Sequence, residues 1–459
     1  MRSSFRSVAN GPICLAVLLT LFATAALPAQ SNRLRNQVEA DRVTLEAVYR
    51  GAPADAAARR AYATVLFQLG DVWEAREVIA PLATPAAAVP ADLHLAARLA
   101  YLTGDYPGAE ALFQRLRTTA DSDSLRTEAV RGLALSYYQQ NRFDRTAGLA
   151  LAGLEDEVGV GSLLVFMQKF EGTPYGIEWS TPERVAHMPM TNDITAPSGL
   201  PEMTLEINGH PVTFILDSGG DRLYLDEGLA DKLGIKVVTK RRSRYAYTRG
   251  ETVEEPLGVA DRVKMGEVTL RNVPVIVAKW KARGIKSDGV VTTQLLKQFL
   301  TTVDYVNKRV TLRERSERGR SQLLETFGGQ APVELPFFMS GTHLMFAKGS
   351  LNGHGGMNIL LDSGLALSMP MVIINETADM LKLPRNPVPN QKYYWVPLES
   401  HGLTGLERGK AQALGNVIIE QNPYWMNGFM FDALISHQYL RHLGSWTIDF
   451  DGMKYYFPR

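Results

Sequence analysis

Cysteine is almost missing from this 459-residue chain: the one that occurs, Cys14, lies in an apolar run near the amino terminus. Once that run is removed, the chain has no disulfide framework, no thiolate zinc site and no cysteine nucleophile. An excess of either charge is missing too. With 49 Lys and Arg against 48 Asp and Glu, long-range charge offers no argument for a nucleic-acid partner or an anionic membrane. Long apolar runs are confined to the start, where Arg2 and Arg6 precede an apolar stretch from Ile13 to Leu27 and small residues follow to Ala29. That pattern reads as a secretory signal over residues 1–29, cut after Ala25 or Ala29, and predicts export to the periplasm or beyond. No later run approaches the roughly 20 residues that span a bilayer, so no integral membrane segment is expected after signal removal. Cofactor patterns are scarce as well. No glycine loop suits a phosphate, no His-Glu-x-x-His occurs, and His437 and His442 are five apart, off metal-ligating spacing. No cofactor and no metal are expected, and the histidines read as core or surface residues.

What is present is ordinary globular composition, 45% hydrophobic and 21% charged, with length for two or three domains. From Asn32 to Ala152 the chain is rich in Ala, Leu and Arg, with apolar residues at helical spacing, which predicts six or seven helices. The segments Leu69-Gly70-Asp71-Val72-Trp73-Glu74-Ala75 and Thr103-Gly104-Asp105-Tyr106-Pro107-Gly108-Ala109 are 34 residues apart, and Gln140-Asn141-Arg142-Phe143-Asp144 follows 37 later. A small turn residue, an aromatic and a packing alanine at that period resemble the tetratricopeptide repeat. In the third unit Asn141 replaces the glycine and Thr146 the alanine. Such an array implies a protein partner, a cover over another domain, or simple structural support.

Beyond Gly172 the texture shifts to Pro, Gly, Thr and Val, with alternating runs such as Met203 to Ile207 and Val212 to Leu216 that predict strands and tight turns. This region is internally duplicated. Asn208-Gly209-His210 precedes Phe214-Ile215-Leu216-Asp217-Ser218-Gly219, and 145 residues later Asn352-Gly353-His354 precedes Ile359-Leu360-Leu361-Asp362-Ser363-Gly364. The same offset relates Thr302-Val303-Asp304-Tyr305 to Thr447-Ile448-Asp449-Phe450, and Asp288 precedes Asp432 by 144. Each Asp-Ser-Gly ends an apolar strand, so each carboxyl is expected where a buried strand turns into a loop. One buried carboxylate is costly, whereas two brought together by a pseudo-two-fold axis share a proton and hold a water between them. The glycine after each serine lets backbone approach closely, and the serine hydroxyl is suited to bracing the partner loop.

At these residues the chain resembles the retropepsin-like aspartic proteases, in a bilobal single-chain form similar to bacterial exported aspartyl proteases, over roughly residues 185 to 459. The resemblance implies catalysis by Asp217 and Asp362, loop support from Ser218, Gly219, Ser363 and Gly364, a peptide or protein substrate, and an active site that needs no dimerisation. A second signature of that family corresponds to Asp288-Gly289-Val290-Val291-Thr292 and Asp432-Ala433-Leu434-Ile435-Ser436. Thr292 and Ser436 stand where the family carries a glycine behind the catalytic strand, and Ala433 replaces another. These departures bear on whether the cleft cuts peptide or only binds it. The segment between the Asp loop and the second signature folds into a flap in that family, which makes Tyr245 or Tyr247 a candidate to shield the water. Tyr393, Tyr394 and Trp395 occupy the corresponding region of the second copy.

Three further features of the sequence admit readings of their own. Leu216-Asp217-Ser218-Gly219-Gly220 looks superficially like a serine-protease nucleophile loop, but its first glycine is a leucine and the second copy is left unexplained. Lys236 to Arg249 carries six basic residues and no acidic one, either a solvated loop or a preference for acidic substrates. Trp280 and Trp446 read as core or rim packing. The expected organisation is thus a multidomain chain: signal peptide 1–29, an all-α helical repeat domain 30–165, a linker 166–184, then an all-β two-lobed pepsin/retropepsin-like domain. Its lobes are 185–315 and 331–459, with a linker at 316–330. The activity this implies is that of an exported aspartic endopeptidase, against an inactive peptide-binding module or a scaffold acting through the repeats.

Overall fold

Helical hairpins come first, and their turns are set by residues able to take a left-handed backbone. A computed structural model describes residues 33–459 apart from 151–152, 155–158, 197–198, 245–251, 282–285 and 417–423. The expected signal sequence, with Cys14, and both Tyr245 and Tyr247 lie outside the described residues. Helices α1 (Arg35–Gly51), α2 (Ala56–Leu69), α3 (Val72–Ala83), α4 (Pro90–Leu102), α5 (Tyr106–Thr119) and α6 (Asp123–Gln139) are followed by a single 3-10 turn, Phe143–Thr146, and by α7 (Val160–Lys169). Side-chain oxygens of Asp55, Asp105 and Ser122 accept from the first free N–H groups of α2, α5 and α6. Gly70 and Gly104 turn the chain at φ 76° and 81°, and Asn141 does the same at φ 57°. Asparagine tolerates this region better than other side chains, so the substitution preserves the turn. The third hairpin nevertheless differs, because Thr146 is buried on a 3-10 turn rather than on a second helix.

The two halves of the β region repeat one another in register. In the first, the strand His210–Asp217 runs parallel to Gly289–Thr292, with Phe214 opposite Gly289 and Asp217 opposite Thr292. In the second, His354–Leu361 runs parallel to Ala433–Ile435, with Ile359 opposite Ala433. Each hairpin leading into the Asp strand turns on Asn-Gly with both residues at positive φ (50° and 86°, then 49° and 80°), the turn that matches strand twist. A Cβ on Gly289 would lie 2.3 Å from the Tyr224 carbonyl oxygen and 2.4 Å from the Phe214 ring; in the second copy Ile359 stands opposite Ala433.

The lobes are joined by a shared antiparallel sheet rather than merely linked. Its strands, in order, are Val333–Ser340, Lys454–Phe457, Ser445–Asp449, Leu300–Asp304, Arg309–Arg313 and Val185–Pro189. At its centre Thr302 pairs with Thr447, and their hydroxyls are 2.8 Å apart. Two expected linkers are corrected. Within 166–184, α7 runs on to Lys169 and Gly176–Trp179 forms a strand antiparallel to Val268–Ala278, because Trp179 finds an apolar partner in Phe299. Within 316–330, Glu317–Glu325 is a helix capped by Ser316, with Leu323 buried under its charged face. Trp280 and Trp446 are both core residues, each about 1% exposed.

One large apolar core runs through helices and strands alike, from Tyr62 and Phe67 to Phe429 and Tyr455, beside a small second cluster of Leu300, Leu323 and Tyr456. The repeat turns are the docked edge. A Cβ on Gly70 would strike the Asn358 amide at 2.3 to 2.6 Å, one on Gly104 would strike Met453 at 2.6 Å, and Asn141 donates to Gln298 at 2.8 Å. Among the described residues no helix is long and apolar enough to cross a membrane.

Candidate active site

Asp217 ends its strand and Asp362 directly follows the last residue of its own, Leu361, so that the two are brought together at the pseudo-two-fold axis, 1% and 0% exposed. The two carboxyl groups lie close enough to act on one another directly. Asp217 Oδ1 also accepts from the Gly219 N–H at 2.6 Å, and Asp362 Oδ1 from the Gly364 N–H at 3.0 Å. The glycines are there because of the opposite lobe. A Cβ on Gly219 would sit 2.7 to 2.8 Å from the Asp362 carboxyl, and one on Gly364 2.0 to 2.3 Å from that of Asp217. The serines lock the loops crosswise: Ser218 N–H donates to Ser363 Oγ at 2.9 Å, Ser363 N–H to Ser218 Oγ at 3.0 Å, and Ser218 Oγ–H to the Leu361 carbonyl at 3.3 Å.

Burial sets the electrostatics. It pushes the Asp217 carboxyl up to about 6, opposed by the hydrogen bond from Gly219. It raises Asp362 well above the usual carboxylate range, where the neighbouring Asp217 charge adds to the effect. Two carboxyls so placed hold one proton between them over a wide interval, and it belongs to the pair. Asp362 Oδ2 is buried without a hydrogen bond from any described residue of the kind that Oδ1 receives.

Thr292 and Ser436 are accommodated by the loops they back. Thr292 Oγ1 donates to the Arg222 carbonyl and Ser436 Oγ to the Met369 carbonyl, both at 2.5 Å. The Thr292 methyl occupies the space a Cβ on Gly220 would take, 2.6 Å away. In the second lobe the residue matching Gly220 is Leu365, and Ser436 has no methyl to oppose it. The two lobes thus carry complementary pairs, Gly with Thr and Leu with Ser.

Beside Asp217 lies a buried ionic group that the sequence did not announce. Arg241 donates to Asp221 at 3.1 Å and to Glu255 at 3.1 Å, and the Tyr224 hydroxyl donates to Asp221 at 2.8 Å. Burial alone would raise the Asp221 carboxyl, but Arg241 and Arg222 hold it well below the usual range. His343, from the second lobe, faces Asp221 and reaches the Gly219 backbone, with burial lowering its pKa to about 4. The basic run is therefore matched across the hairpin: Lys236 pairs with Asp261 and Lys240 with Glu254 at 3.0 and 2.9 Å. Spacing alone hid this, because the acidic partners lie on the next strand. In the second lobe Tyr394 donates to Asn375 Oδ1 at 2.5 Å and packs on Gly415.

Residues 203–295 match the aspartyl protease family model, a span that contains the first Asp-Ser-Gly and ends before the second. Among solved structures the chain is similar to a retropepsin-like aspartic protease from Rickettsia conorii, at 16% identity over 31% of this chain and 96% of that one, with a TM-score of 0.22. It is also similar to basic 7S globulin from soybean (11% identity, 60% and 96% covered, TM-score 0.37) and to conglutin gamma, a basic 7S globulin from lupine seeds (11%, 60% and 95%, TM-score 0.38). No curated protein matches the chain.

Proposed function

We propose that the chain is an aspartic peptidase whose two lobes each contribute one catalytic carboxyl, Asp217 and Asp362. The observation that carries this is the reciprocal packing of each loop glycine on the other lobe's carboxyl. A structural turn has no need of that arrangement. With one proton on the pair, the ionised carboxylate takes a proton from a water held between them as the water oxygen attacks the scissile carbonyl carbon. The protonated carboxyl gives its proton to the carbonyl oxygen. In collapse of the tetrahedral species the C–N bond breaks, the nitrogen leaves with a proton from the pair, and an acid and an amine are released. Arrangement in one chain makes the site independent of a second copy. The amino-terminal signal pattern supports a site of action outside the cytoplasm.

Cleavage of a diverse peptide mixture from pH 3 to 8 tests this, with Asp217→Asn and Asp362→Asn in parallel. Each variant is expected to lose at least ~10³-fold of the rate. Peptide bound but never cut by folded wild-type protein would favour a binding module instead.

A further inference from the structure

We propose that the groove over the dyad is walled at one end by the helical domain, so that the polypeptide it takes is held at or near one of its chain termini. The inference rests on the inter-lobe groove being the peptide site, and concerns which part of a substrate enters it. The pseudo-two-fold axis gives the groove two equivalent ends. One lies where residues 220–223 follow the first Asp-Ser-Gly and meet the second lobe's turn at Gly341, Thr342 and His343. The other lies where residues 365–368 follow the second Asp-Ser-Gly and meet the first lobe's loop around Ile194 and Gly199.

Among the described residues, the helical domain covers the first end alone. On the floor, Lys297 Nζ donates to the Gln139 carbonyl at 2.5 Å and Gln294 to Gln139 Oε1 at 3.2 Å. On the facing lobe, Tyr101 Oη donates to the Gly341 carbonyl and Gln139 Nε2 to that of Thr342 at 3.0 Å. On the near side, Arg222 Nε donates to Tyr138 Oη at 3.2 Å and its guanidinium lies 5.5 Å from the Phe166 ring centroid. Toward the flap, Ser162 Oγ on α7 accepts from the Arg242 N–H at 3.3 Å. Side chains of α4, α6 and α7 thus reach residues of both lobes at this end and the strand Lys236–Arg244, and every residue from Gly220 to Asp226 is buried. At the second end the symmetry breaks: the loop between Leu365 and Met371 is three residues longer than the one between Gly220 and Leu223, and within it Ser368 is exposed and Ala366 half-buried. The loop there is tied within the β region, by Arg441 to the Ile194 and Ala196 carbonyls.

The test is competitive binding of an apolar octapeptide with a hydroxyethylene unit in place of one amide, free or coupled to streptavidin through its amino or its carboxyl end. A walled groove predicts that one coupling weakens binding by about 100-fold or more and the other by less than about 3-fold. Equal tolerance of both couplings, or equal loss with both, overturns the inference. Failure of the free peptide to bind overturns it together with the peptidase reading. Binding of the free peptide together with no cleavage of the peptide mixture defeats only that reading and leaves the comparison of the two couplings decisive.

Discussion

Asp217 and Asp362 weaken the fold they sit in. Their folded-state pKa values are raised above the unfolded value of about 3.9, so between that pH and neutrality the native state holds more protons than the unfolded chain. Stability therefore falls as pH rises through about 6. Asp362→Asn, which removes a charge and keeps the shape, is expected to raise the melting temperature at pH 7.5 by roughly 2–5 °C and to leave it unchanged near pH 3.5. Thermal scans at the two pH values check this. The same shift extends the one-proton state upward, so cleavage is expected to rise through about pH 6 and persist at neutrality. These two residues were legible in the sequence because they occur twice at one offset. Arg241 and His343 were not, since what makes them matter is burial against Asp221, and burial has no local signature in a basic run or a lone histidine.

At the level of single elements, the loops behind the dyad differ between lobes in a way that only coordinates explain. The absence of glycine at 292 and 436 reads from sequence as damage, whereas each hydroxyl bonds a loop carbonyl and each size is matched across the strand. Gly220→Ala is expected to cost about 1–3 kcal/mol by overpacking against Thr292. Adding Thr292→Ser, which copies the second lobe, should return part of it. Urea unfolding of both single variants and the double closes the cycle, and strict additivity would refute the pairing. Helical periodicity and the 34-residue repeat correctly announced the hairpins. The strand Gly176–Trp179 and the helix Glu317–Glu325 escaped because neither is long or strongly periodic enough to stand out.

For the whole molecule, the helical domain is part of one packed body. Arg35, at the start of α1, is 1% exposed and bonds Asp432 through Nε at 3.0 Å and Nη2 at 2.5 Å. Asp432 also accepts from the Asn358 N–H at 2.7 Å, as Asp288 does from Thr213 in the first lobe. Arg35→Ala leaves a buried carboxylate without its cation and is expected to cost about 3–5 kcal/mol. Asp432→Asn in the same chain should recover part of that, with the unfolding midpoint as the measure. Sequence inspection cannot find this pair, whose members are 397 residues apart. That separation has a consequence in time. Residues at the amino end are synthesised first, yet α1 acquires its buried partner only after nearly the whole chain has been made, and closing so distant a contact is slow. A nascent chain that stalls before the second lobe presents an apolar helical edge and an arginine with nothing to bind, the kind of surface that holding chaperones and degrading proteases recognise.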